Sequence, residues 1–258
     1  MQIAGSVVLI TGASQGIGAA CAAAFRRRGA KLALIARNEE RLREVAGHDG
    51  LVLAGDLTDA VFRQQAIATT IQTYGAIDVL INNAGVGLYV PAWSATDAQV
   101  RELFDLNFFA PLALSQLAIP HMRQRGRGML VNVSSIAGEI TLPWFTLYSA
   151  SKHALGSLTV GLRLELERDG IRTMTVCPGY VNTEFQRHAI AGTPPASLQR
   201  RRPLSVSVEQ CAQTIVRGVE RDSCMVVTPR TGWAVIWLRR LFPATVDRYL
   251  VRMEERAA

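Results

Sequence analysis

The feature that most constrains the fold of this chain is an apolar run that passes directly into a glycine-rich turn near the N-terminus. Residues 6–10 read SVVLI, and residues 11–18 follow as TGASQGIG. Glycines at such a turn let the backbone approach a pyrophosphate closely, and the start of a helix beyond it offers free N–H groups to the phosphates. A glycine turn alone is weak evidence. Its position between a predicted strand and a predicted helix indicates a dinucleotide-binding α/β fold.

Apolar runs alternate with helical patterns along the rest of the chain. Strands are predicted at 6–10, 31–35, 51–53, 79–81, 128–133, 173–176 and 225–227. Helices are predicted at 16–28, 38–46, 59–74, 97–124, 147–168 and 208–220. Strand–helix alternation predicts an α/β fold with a doubly wound parallel sheet of the Rossmann type.

The chain is expected to form one domain, followed by a short helical appendage. Residues 1–231 are predicted to be the dinucleotide-binding and catalytic domain, with a substrate flap at 184–206. Residues 232–258 are predicted to be a C-terminal helical appendage that is split at Pro243, because proline cannot continue a helix.

Composition excludes several other classes of protein. The 258 residues include 49% hydrophobic and 19% charged residues, which are globular values. We expect no membrane span, no signal peptide and a cytoplasmic location. The four cysteines and four histidines are scattered, so neither a metal site nor a disulfide framework is predicted. The net charge of +7 comes from dispersed arginines, so no nucleic-acid partner is expected.

The end of the second predicted strand bears on the choice of cofactor. An acidic residue at this position usually accepts the ribose 2′-OH of NAD. This chain has Ala36 there, followed by Arg37, and a guanidinium suits a 2′-phosphate in charge and geometry. The sequence therefore favours NADP(H) over NAD(H). A solvent-facing arginine beside Glu39 and Glu40 is the alternative.

A second motif, YSASK at 148–152, can move a proton. Tyr148 and Lys152 are four residues apart, so a helix places them on one face. A nearby ammonium favours the phenolate of a tyrosine, whose pKa is otherwise about 10. Only Lys31 and Lys152 among 28 basic residues are lysines, which indicates that this site needs a compact ammonium. Ser135 follows the predicted strand 128–133 and would reach the same pocket.

Together these motifs resemble those of the short-chain dehydrogenase/reductase family, over about residues 5–230. The motifs, in chain order, are Thr11-Gly12-x3-Gly16-x-Gly18, Asp56-Leu57, Asn82-Asn83-Ala84-Gly85, Asn107, Ser135, Tyr148-x3-Lys152 and Pro178-Gly179. The spacing between Ser135 and Tyr148 also resembles the family's, and it distinguishes Ser135 from its neighbour Ser134.

The resemblance implies a role for each of these residues. Tyr148 would be the general acid in reduction and the general base in oxidation, and Ser135 would bind the substrate oxygen. Lys152 would lower the pKa of Tyr148 and bind the nicotinamide ribose, while Asn107 would hold a water that links Lys152 to solvent. With the glycine turn and Arg37 included, the expected cofactor-binding residues are Gly12, Ser14, Gln15, Gly16, Ile17, Gly18, Arg37, Asp56, Leu57, Asn83, Ala84, Gly85, Tyr148, Lys152, Pro178, Gly179, Val181 and Thr183.

Two departures from the family pattern bear on function. Many NADP-preferring relatives carry a basic residue where this chain has Gln15, so the cofactor prediction rests on Arg37. The glycine-rich ending of bacterial 3-oxoacyl-carrier-protein reductases is absent after Val227. The C-terminal region is instead similar to that of members acting on lipophilic alcohols and ketones.

Apolar residues near the two motifs predict a hydrophobic carbonyl or alcohol substrate of steroid, retinoid or fatty type. They are Val86, Leu88, Tyr89, Val90, Trp93, Ile140, Leu142, Trp144 and Phe145. Packing in the core or in an oligomer interface is the alternative role for several of them. The resemblance also implies a homo-dimer or homo-tetramer, built partly through the helix that carries Tyr148.

Other functions and other roles for the C-terminal region stay open at this point. A 3-oxoacyl-carrier-protein reductase could dock an acidic carrier on Arg200, Arg201 and Arg202, and a non-catalytic NADP-binding sensor would keep only the nucleotide site. Residues 232–253 mix tryptophan and leucine with arginine. They could pack on a partner subunit, cover the substrate mouth or lie peripherally on a membrane surface.

Overall fold

The computed structural model of the protein describes residues 1–181, 183–194 and 205–255. The strands are β1 (Val7–Thr11), β2 (Lys31–Ala36), β3 (Leu51–Ala54), β4 (Val79–Asn82), β5 (Gly128–Val133), β6 (Ile171–Pro178), β7 (Tyr180–Val181), β8 (Ser205–Val206) and β9 (Met225–Thr228). The helices are α1 (Gly16–Arg26), α2 (Glu39–Ala46), α3 (Ala60–Tyr74), α4 (Asp97–Phe104), α5 (Ala110–Arg125), α6 (Thr146–Leu166), α7 (Val208–Glu220), α8 (Gly232–Leu241) and α9 (Pro243–Glu255).

Within the described ranges, seven parallel strands form one sheet in the order β3-β2-β1-β4-β5-β6-β9. The chain builds outward from β1 to β3 and then returns to place β4 beside β1. The carboxyl ends of β1 and β4 therefore meet where the strand order reverses, which is where doubly wound folds bind their ligands. The predicted fold class is confirmed.

The strands are mostly apolar on both faces because helices cover both faces of the sheet. On one face, Val8 and Ile10 of β1 pack with Phe25 of α1 and with Ile215 of α7. On the other face, Leu9 of β1 belongs to a second cluster. Helices α3, α5 and α6 supply that cluster through Ile67, Leu114 and Leu162, among other residues.

The long helix predicted at 97–124 is interrupted. Asp105–Phe109 form a π-helical segment between α4 and α5, and such segments commonly mark functional positions. Among the described helices, the combined run Asp97–Arg125 is the one long and apolar enough to cross a bilayer. Its residues Leu114, Ala118 and Met122 are buried against the sheet, as in a core helix.

The predicted flap at 184–206 is described only in part. Residues Glu184–His188 form a 3₁₀ turn, and β8 pairs in parallel with β7. Pro195 and the run Arg200, Arg201 and Arg202 lie outside the described residues. The appendage forms two helices, α8 and α9, that are separated at the predicted position before Pro243.

Asp78 fastens the amino end of the sheet. Its side chain is 6% exposed, and it accepts a hydrogen bond from the backbone N–H of Val7 at 2.9 Å. It also forms ion pairs with Arg125 at 3.4 Å and Arg127 at 3.3 Å. One carboxylate therefore holds β1, the end of α5 and the start of β5 together.

We predict that Asp78→Ala lowers the free energy of unfolding by about 1–3 kcal/mol, because it leaves a buried N–H and two guanidinium groups without their acceptor. Urea denaturation followed by circular dichroism measures this. Asp97→Ala, which removes an exposed carboxylate paired with Arg101, is the control and should cost less than about 1 kcal/mol. Equal losses in the two variants would contradict the anchoring role.

Candidate active site

A cavity of about 1450 Å³ runs along the carboxyl ends of the strands. The loops after β1, β2 and β3 line one end of it, and Ser135, Tyr148 and Lys152 line the other. Residues of the Glu184–His188 turn and of α8 and α9 also border it. One continuous space therefore joins the glycine turn to the predicted proton-transfer residues.

The glycine turn has the shape that a dinucleotide requires. Gly12 and Gly16 have positive φ angles of 64° and 58°, a conformation that favours glycine. A Cβ on Gly18 would lie 2.2 Å from the carbonyl oxygen of Gly12, and a Cβ on Gly12 would lie 2.9 Å from Cα of Ala84. Side chains at these two positions would clash with the neighbouring backbone, so only glycine allows so tight a turn. A tight turn without side chains leaves the backbone accessible to a bound pyrophosphate.

Asn83 and Thr11 brace this turn against the loop after β4. The amide of Asn83 donates to the carbonyl oxygens of Thr11 at 2.9 Å and Gly12 at 3.2 Å. The Thr11 hydroxyl accepts from the backbone N–H groups of Asn83 at 2.9 Å and Ala84 at 3.0 Å. The two loops at the strand-order reversal are therefore one hydrogen-bonded unit.

Asp56 and Arg37 lie together at the far end of the cavity. The Asp56 carboxylate accepts from the backbone N–H and the hydroxyl of Thr58 at 2.8 and 2.9 Å. The hydrogen bond from the Thr58 backbone is the main cause that lowers the pKa of Asp56, and the hydroxyl of Thr58 and the charge of Arg37 add to it. In the described residues Arg37 forms no ion pair, so its guanidinium is free to meet an anion there.

Ser135 and Tyr148 bring two hydroxyl groups together at the other end. Ser135 follows β5 and begins the 3₁₀ turn Ile136–Gly138, where its Oγ accepts from the N–H of Ala137 at 3.0 Å. Tyr148 lies in the first turn of α6 and is 6% exposed. Burial raises the pKa of the Tyr148 phenol, and a hydrogen bond with Ser135 opposes that rise.

Lys152 lies one helical turn beyond Tyr148 and is 3% exposed. Its Nζ donates to the carbonyl oxygen of Val133 at 2.9 Å and lies 5.8 Å from the centre of the Tyr148 ring. Burial lowers the pKa of Lys152 to about 8. The sequence-based expectation was that this ammonium lowers the pKa of Tyr148. In the structure burial is the largest effect, and the pKa of Tyr148 is raised overall.

Asn107 lies in the π-helical segment and is fully buried. Its Oδ1 accepts from the N–H of Val86 at 2.9 Å, and its Nδ2 donates to the carbonyl oxygen of Val86 at 3.0 Å and to Ser151 Oγ at 3.1 Å. A Cβ on Gly85 would lie 3.0 Å from Asn107 Oδ1 and 3.3 Å from Lys152 Nζ. Asn107 and Lys152 therefore approach Gly85 from the same side, and Lys152 lines the cavity whereas Asn107 does not.

Aromatic rings surround Tyr148. The ring of Phe145 stacks on it with the centroids 4.1 Å apart, and Tyr89 stacks on Phe145 at 4.5 Å. Phe185, from the Glu184–His188 turn, meets the edge of the Tyr148 ring at 5.7 Å. The phenol therefore faces an apolar part of the cavity.

The cavity gathers nearly all of the predicted site residues. The wall contains Gly12, Ser14, Gln15, Gly16, Ile17, Arg37, Asp56, Leu57, Asn83, Ala84, Gly85, Ser135, Tyr148, Lys152, Pro178, Gly179, Val181 and Thr183. Gly18 and Asn107 lie behind this wall and support it.

Some of the predicted substrate-wall residues face elsewhere. Val86, Tyr89, Ile140, Leu142 and Phe145 line the cavity. Leu88 is fully buried in the core. Trp93 is 86% exposed and pairs with Trp144 on the surface, with the ring centroids 6.3 Å apart. These three do not form the cavity wall, and neither does Val90, because the loops turn their side chains away from it.

Sequence reasoning missed one part of the wall, and it considered a second part only as one of three roles for residues 232–253. Arg41 lines the cavity together with Arg37, and its position in the predicted helix 38–46, four residues after Arg37, was a signal that could have found it. The second part comes from the C-terminal helices, through Val235, Leu238, Thr245, Val246, Tyr249 and Leu250. No local signal separates these residues from other apolar positions of a helix. In the described part of the chain, no group of three or more His, Cys, Asp or Glu side chains could hold a metal ion.

Comparisons with known proteins identify the family of the chain. The family model described as short chain dehydrogenase matches residues 6–193. Mouse dehydrogenase/reductase SDR family member 7B is 34% identical over 95% of this chain and 80% of its own length. The 11-beta-hydroxysteroid dehydrogenase-like 2 of Arabidopsis thaliana is 34% identical over 96% of this chain and 82% of its own length.

Solved structures show the same fold. A short-chain dehydrogenase/reductase from Burkholderia phymatum in complex with NAD matches with a TM-score of 0.86 at 24% identity, over 93% of this chain and 94% of its own. A short-chain dehydrogenase from Burkholderia cenocepacia in complex with NADP matches with a TM-score of 0.83 at 27% identity, over 97% of this chain and 99% of its own.

We predict that Gly18→Ala weakens NADPH binding at least about tenfold, since the added methyl group would lie 2.2 Å from the Gly12 carbonyl oxygen and force the turn open. Fluorescence titration of purified protein measures the affinity. Gly156→Ala is the control because its added Cβ meets nothing within 4 Å. Unchanged NADPH affinity in Gly18→Ala would show that the turn does not hold the cofactor.

A second prediction concerns the pH dependence of stability. An unfolded lysine keeps its proton up to about pH 10.4, whereas burial lowers the pKa of folded Lys152 to about 8. Between these values the unfolded chain binds more protons, so stability rises with pH. The free energy of unfolding of the wild type, minus that of Lys152→Met, should therefore increase by about 1–3 kcal/mol from pH 8 to pH 10.

Urea titrations of the two proteins across this range measure the difference. Burial raises the pKa values of Tyr148 and Cys177, which lie beside Lys152, so both stay neutral when folded. Because both groups are present in the two proteins, they cancel in the difference. A flat difference would show that the folded Lys152 keeps an ordinary pKa.

Proposed function

This chain belongs to the short-chain dehydrogenase/reductase family of oxidoreductases, and on that premise we propose that it transfers a hydride between NADP(H) and a hydrophobic carbonyl compound or alcohol. The observation that carries the proposal is the single cavity that holds the glycine turn at one end and the Ser135 and Tyr148 hydroxyls at the other. A dinucleotide laid along it would bring a reactive ring to these hydroxyls.

The residues of the cavity suit such a cofactor. The turn at Gly12 and Gly16 leaves the backbone open to a pyrophosphate, and the first turn of α1 directs its N–H groups there. Asp56 and Leu57 would contact the adenine, and Pro178, Gly179 and Thr183 would border the nicotinamide. When bound, NADP(H) supplies or accepts the hydride.

Tyr148 is the proposed general acid in reduction. Its phenol has an ordinary pKa of about 10, which burial raises further. It is therefore protonated at neutral pH and can donate that proton to a substrate oxygen as the oxygen gains charge. In the reverse direction the same oxygen takes up the alcohol proton. The Ser135 hydroxyl, hydrogen-bonded to Tyr148, would hold the substrate oxygen within reach of both groups.

Lys152 and Asn107 act through Tyr148 and the cofactor in this proposal. The Lys152 ammonium lies near the Tyr148 ring and would stabilise the phenolate left after proton donation. It would also donate to the nicotinamide ribose. Asn107 Oδ1 and Lys152 Nζ lie on the same side of Gly85, where its Cβ would be, and a water held by Asn107 there would return the proton from solvent.

The preference for NADP(H) rests on the end of β2. Arg37 follows Ala36, where an acidic residue would select the 2′-hydroxyl of NAD, and its guanidinium lines the cavity without an ion pair in the described residues. One Burkholderia structure contains NAD and the other contains NADP, so the similarity in fold does not indicate which cofactor is preferred. The preference is inferred from Ala36 and Arg37 alone. A guanidinium favours the 2′-phosphate because it offers charge and paired N–H groups.

A hydrophobic substrate fits the wall near Tyr148. Ile140, Leu142 and Phe145 border the cavity from the loop before α6, and Val235 and Leu238 border it from α8. A large apolar cavity with a few polar groups is typical of sites for lipophilic small molecules. The name of the Arabidopsis relative also points to steroid-type substrates.

The helices α8 and α9 would form the substrate mouth, which is one of the three roles considered for the appendage 232–258. Arg240 of α8 forms an ion pair with Glu139 at 2.8 Å and so ties the appendage to the loop after β5. Ile236 is fully buried against Ile136 and Val227. We retain a cytoplasmic homo-dimer or homo-tetramer as part of the proposal, with peripheral membrane contact through 232–253 as the alternative role.

The test is the oxidation of NADPH and of NADH against a panel of apolar and small polar carbonyl compounds, with the wild type and Tyr148→Phe side by side. We expect turnover with NADPH on apolar ketones or aldehydes, and a loss of about a thousandfold in kcat in the variant, because the proton donor is removed. Tyr74→Phe is the control, since that hydroxyl contacts only backbone carbonyls of Leu32 and Asp49.

Each other outcome contradicts a stated part of the proposal. Equal rates for Tyr148→Phe and the wild type would remove the acid–base role, and faster turnover with NADH would remove the cofactor preference. Turnover confined to acyl-carrier substrates would favour the carrier-protein reductase. Tight NADPH binding without any turnover would favour the sensor.

A further inference from the structure

Arg41 is a second cation in the part of the cavity that Arg37 occupies. It lies in the first turn of α2, four residues after Arg37, and it lines the cavity together with Arg37, Gln15 and Thr58. In the described residues, Arg37 and Arg41 are the two cationic side chains of the cavity wall at this end. Unlike Arg37, Arg41 already has partners.

The partners of Arg41 come from two separate loops. Its Nη1 donates to Gln15 Oε1 of the glycine turn at 3.0 Å and to Glu184 Oε2 at 3.2 Å. Glu184 belongs to the 3₁₀ turn that follows β7 and lies 143 residues away in sequence. One guanidinium thus links the turn proposed to hold the pyrophosphate to the segment that covers the substrate end.

Glu184 does not depend on Arg41 alone. Arg187 Nη1 lies 3.7 Å and His188 Nε2 lies 3.8 Å from its carboxylate. The hydrogen bond and charge of Arg41 are the main causes that hold the pKa of Glu184 below its usual value, and Arg187 and His188 add to them. If Arg41 turned away, Glu184 would keep Arg187 as a cationic neighbour, so releasing Arg41 leaves no isolated charge.

We propose that Arg41 is a second cation for the 2′-phosphate of NADP(H), and that Glu184 and this phosphate exchange as the partner of Arg41. The inference rests on the proposed NADP(H) dependence and names the further residues that determine it. A phosphate carries more charge than a carboxylate and offers three acceptor oxygens, so it competes well for a half-exposed guanidinium. With NAD(H), which has no phosphate there, Arg41 stays with Glu184.

The exchange has a direct path to the substrate end. Phe185, the next residue after Glu184, meets the ring of Tyr148 at 5.7 Å. A Cβ on Gly87 would lie 3.2 Å from the Phe185 ring, so Phe185 also packs on the loop after β4. Release of Glu184 from Arg41 therefore frees the residue next to Phe185, whose ring contacts the proposed catalytic tyrosine.

The experiment is calorimetric titration of the full chain with two fragments, 2′,5′-ADP and 5′-AMP, which differ in the 2′-phosphate. We expect Arg41→Gln to weaken 2′,5′-ADP about tenfold and to change 5′-AMP less than about twofold, because a charge-assisted hydrogen bond to phosphate is lost. Glu184→Gln should tighten 2′,5′-ADP about two- to fivefold, since the competing carboxylate is gone. In the Arg41→Gln background, Glu184→Gln should then have no effect.

Two control variants repeat the same charge changes on α2. Arg43→Gln and Glu39→Gln break an ion pair that lies on α2 away from the cavity wall, and both should leave the affinities unchanged. If Glu184→Gln tightens 2′,5′-ADP equally with and without Arg41, a long-range charge effect explains the result and the exchange is wrong.

The titration separates this inference from the proposed cofactor preference. The affinities of the wild type and of Arg37→Gln test the preference for NADP(H). If the wild type binds 2′,5′-ADP and 5′-AMP equally well, both this preference and the exchange are overturned. If the wild type prefers 2′,5′-ADP and Arg37→Gln abolishes that preference while Arg41→Gln and Glu184→Gln do not alter it, then only the exchange is overturned.

Discussion

The reversal of strand order between β1 and β4 is the constraint on which the rest of the site depends. Because all seven described strands of the main sheet are parallel, their carboxyl ends lie along one edge, and each supplies a loop to the same cavity. At the reversal the loops after β1 and β4 meet, and hydrogen bonds between Thr11 and Asn83 hold them together. The strand ends and loops at this edge carry the residues of the site, namely the glycine turn, Arg37, Asp56, Ser135 and Pro178.

Burial controls the chemistry at the other end of the cavity. Tyr148 and Lys152 share one face of α6, and both are nearly removed from solvent. Burial raises the pKa of the phenol and lowers the pKa of the ammonium. Burial thus shifts each group toward its neutral form, while a pKa of about 8 keeps Lys152 mostly protonated at neutral pH. The tyrosine therefore keeps its proton available for donation, and the phenolate depends on the lysine only after the proton has left.

Sequence reasoning succeeded where the physical signal is local or periodic. The strands of the main sheet are continuous apolar runs, and residues at their ends need only the parallel topology to be brought together, so Ser135, Arg37 and Asp56 could be located from the sequence. It failed where the conformation of a loop determines whether a side chain faces the cavity or the surface. Trp93 and Trp144 flank the site in sequence, but their loops turn them to the surface.

Contacts between segments that are distant in sequence also could not be predicted from local sequence patterns. The pairing of Arg41 with Glu184 joins residues separated by 143 positions, and the two C-terminal helices reach the cavity only through tertiary packing against Ile136 and Val227. The π-helical segment that positions Asn107 interrupts a pattern that otherwise resembles one long helix. The effect of burial on Tyr148 likewise depends on the aromatic rings packed around it, which pairwise sequence spacing cannot indicate.

The central claim is that the cofactor bound at the glycine turn reaches the substrate held by Ser135 and Tyr148. It is tested most directly with NADPH that carries deuterium at C4, prepared as its two stereoisomers, and a ketone that the enzyme reduces. The account predicts that one isomer, and not the other, delivers its deuterium to the carbinol carbon of the product, as measured by mass spectrometry. Deuterium released to water, or delivered equally from both isomers, would contradict direct transfer in a single oriented site.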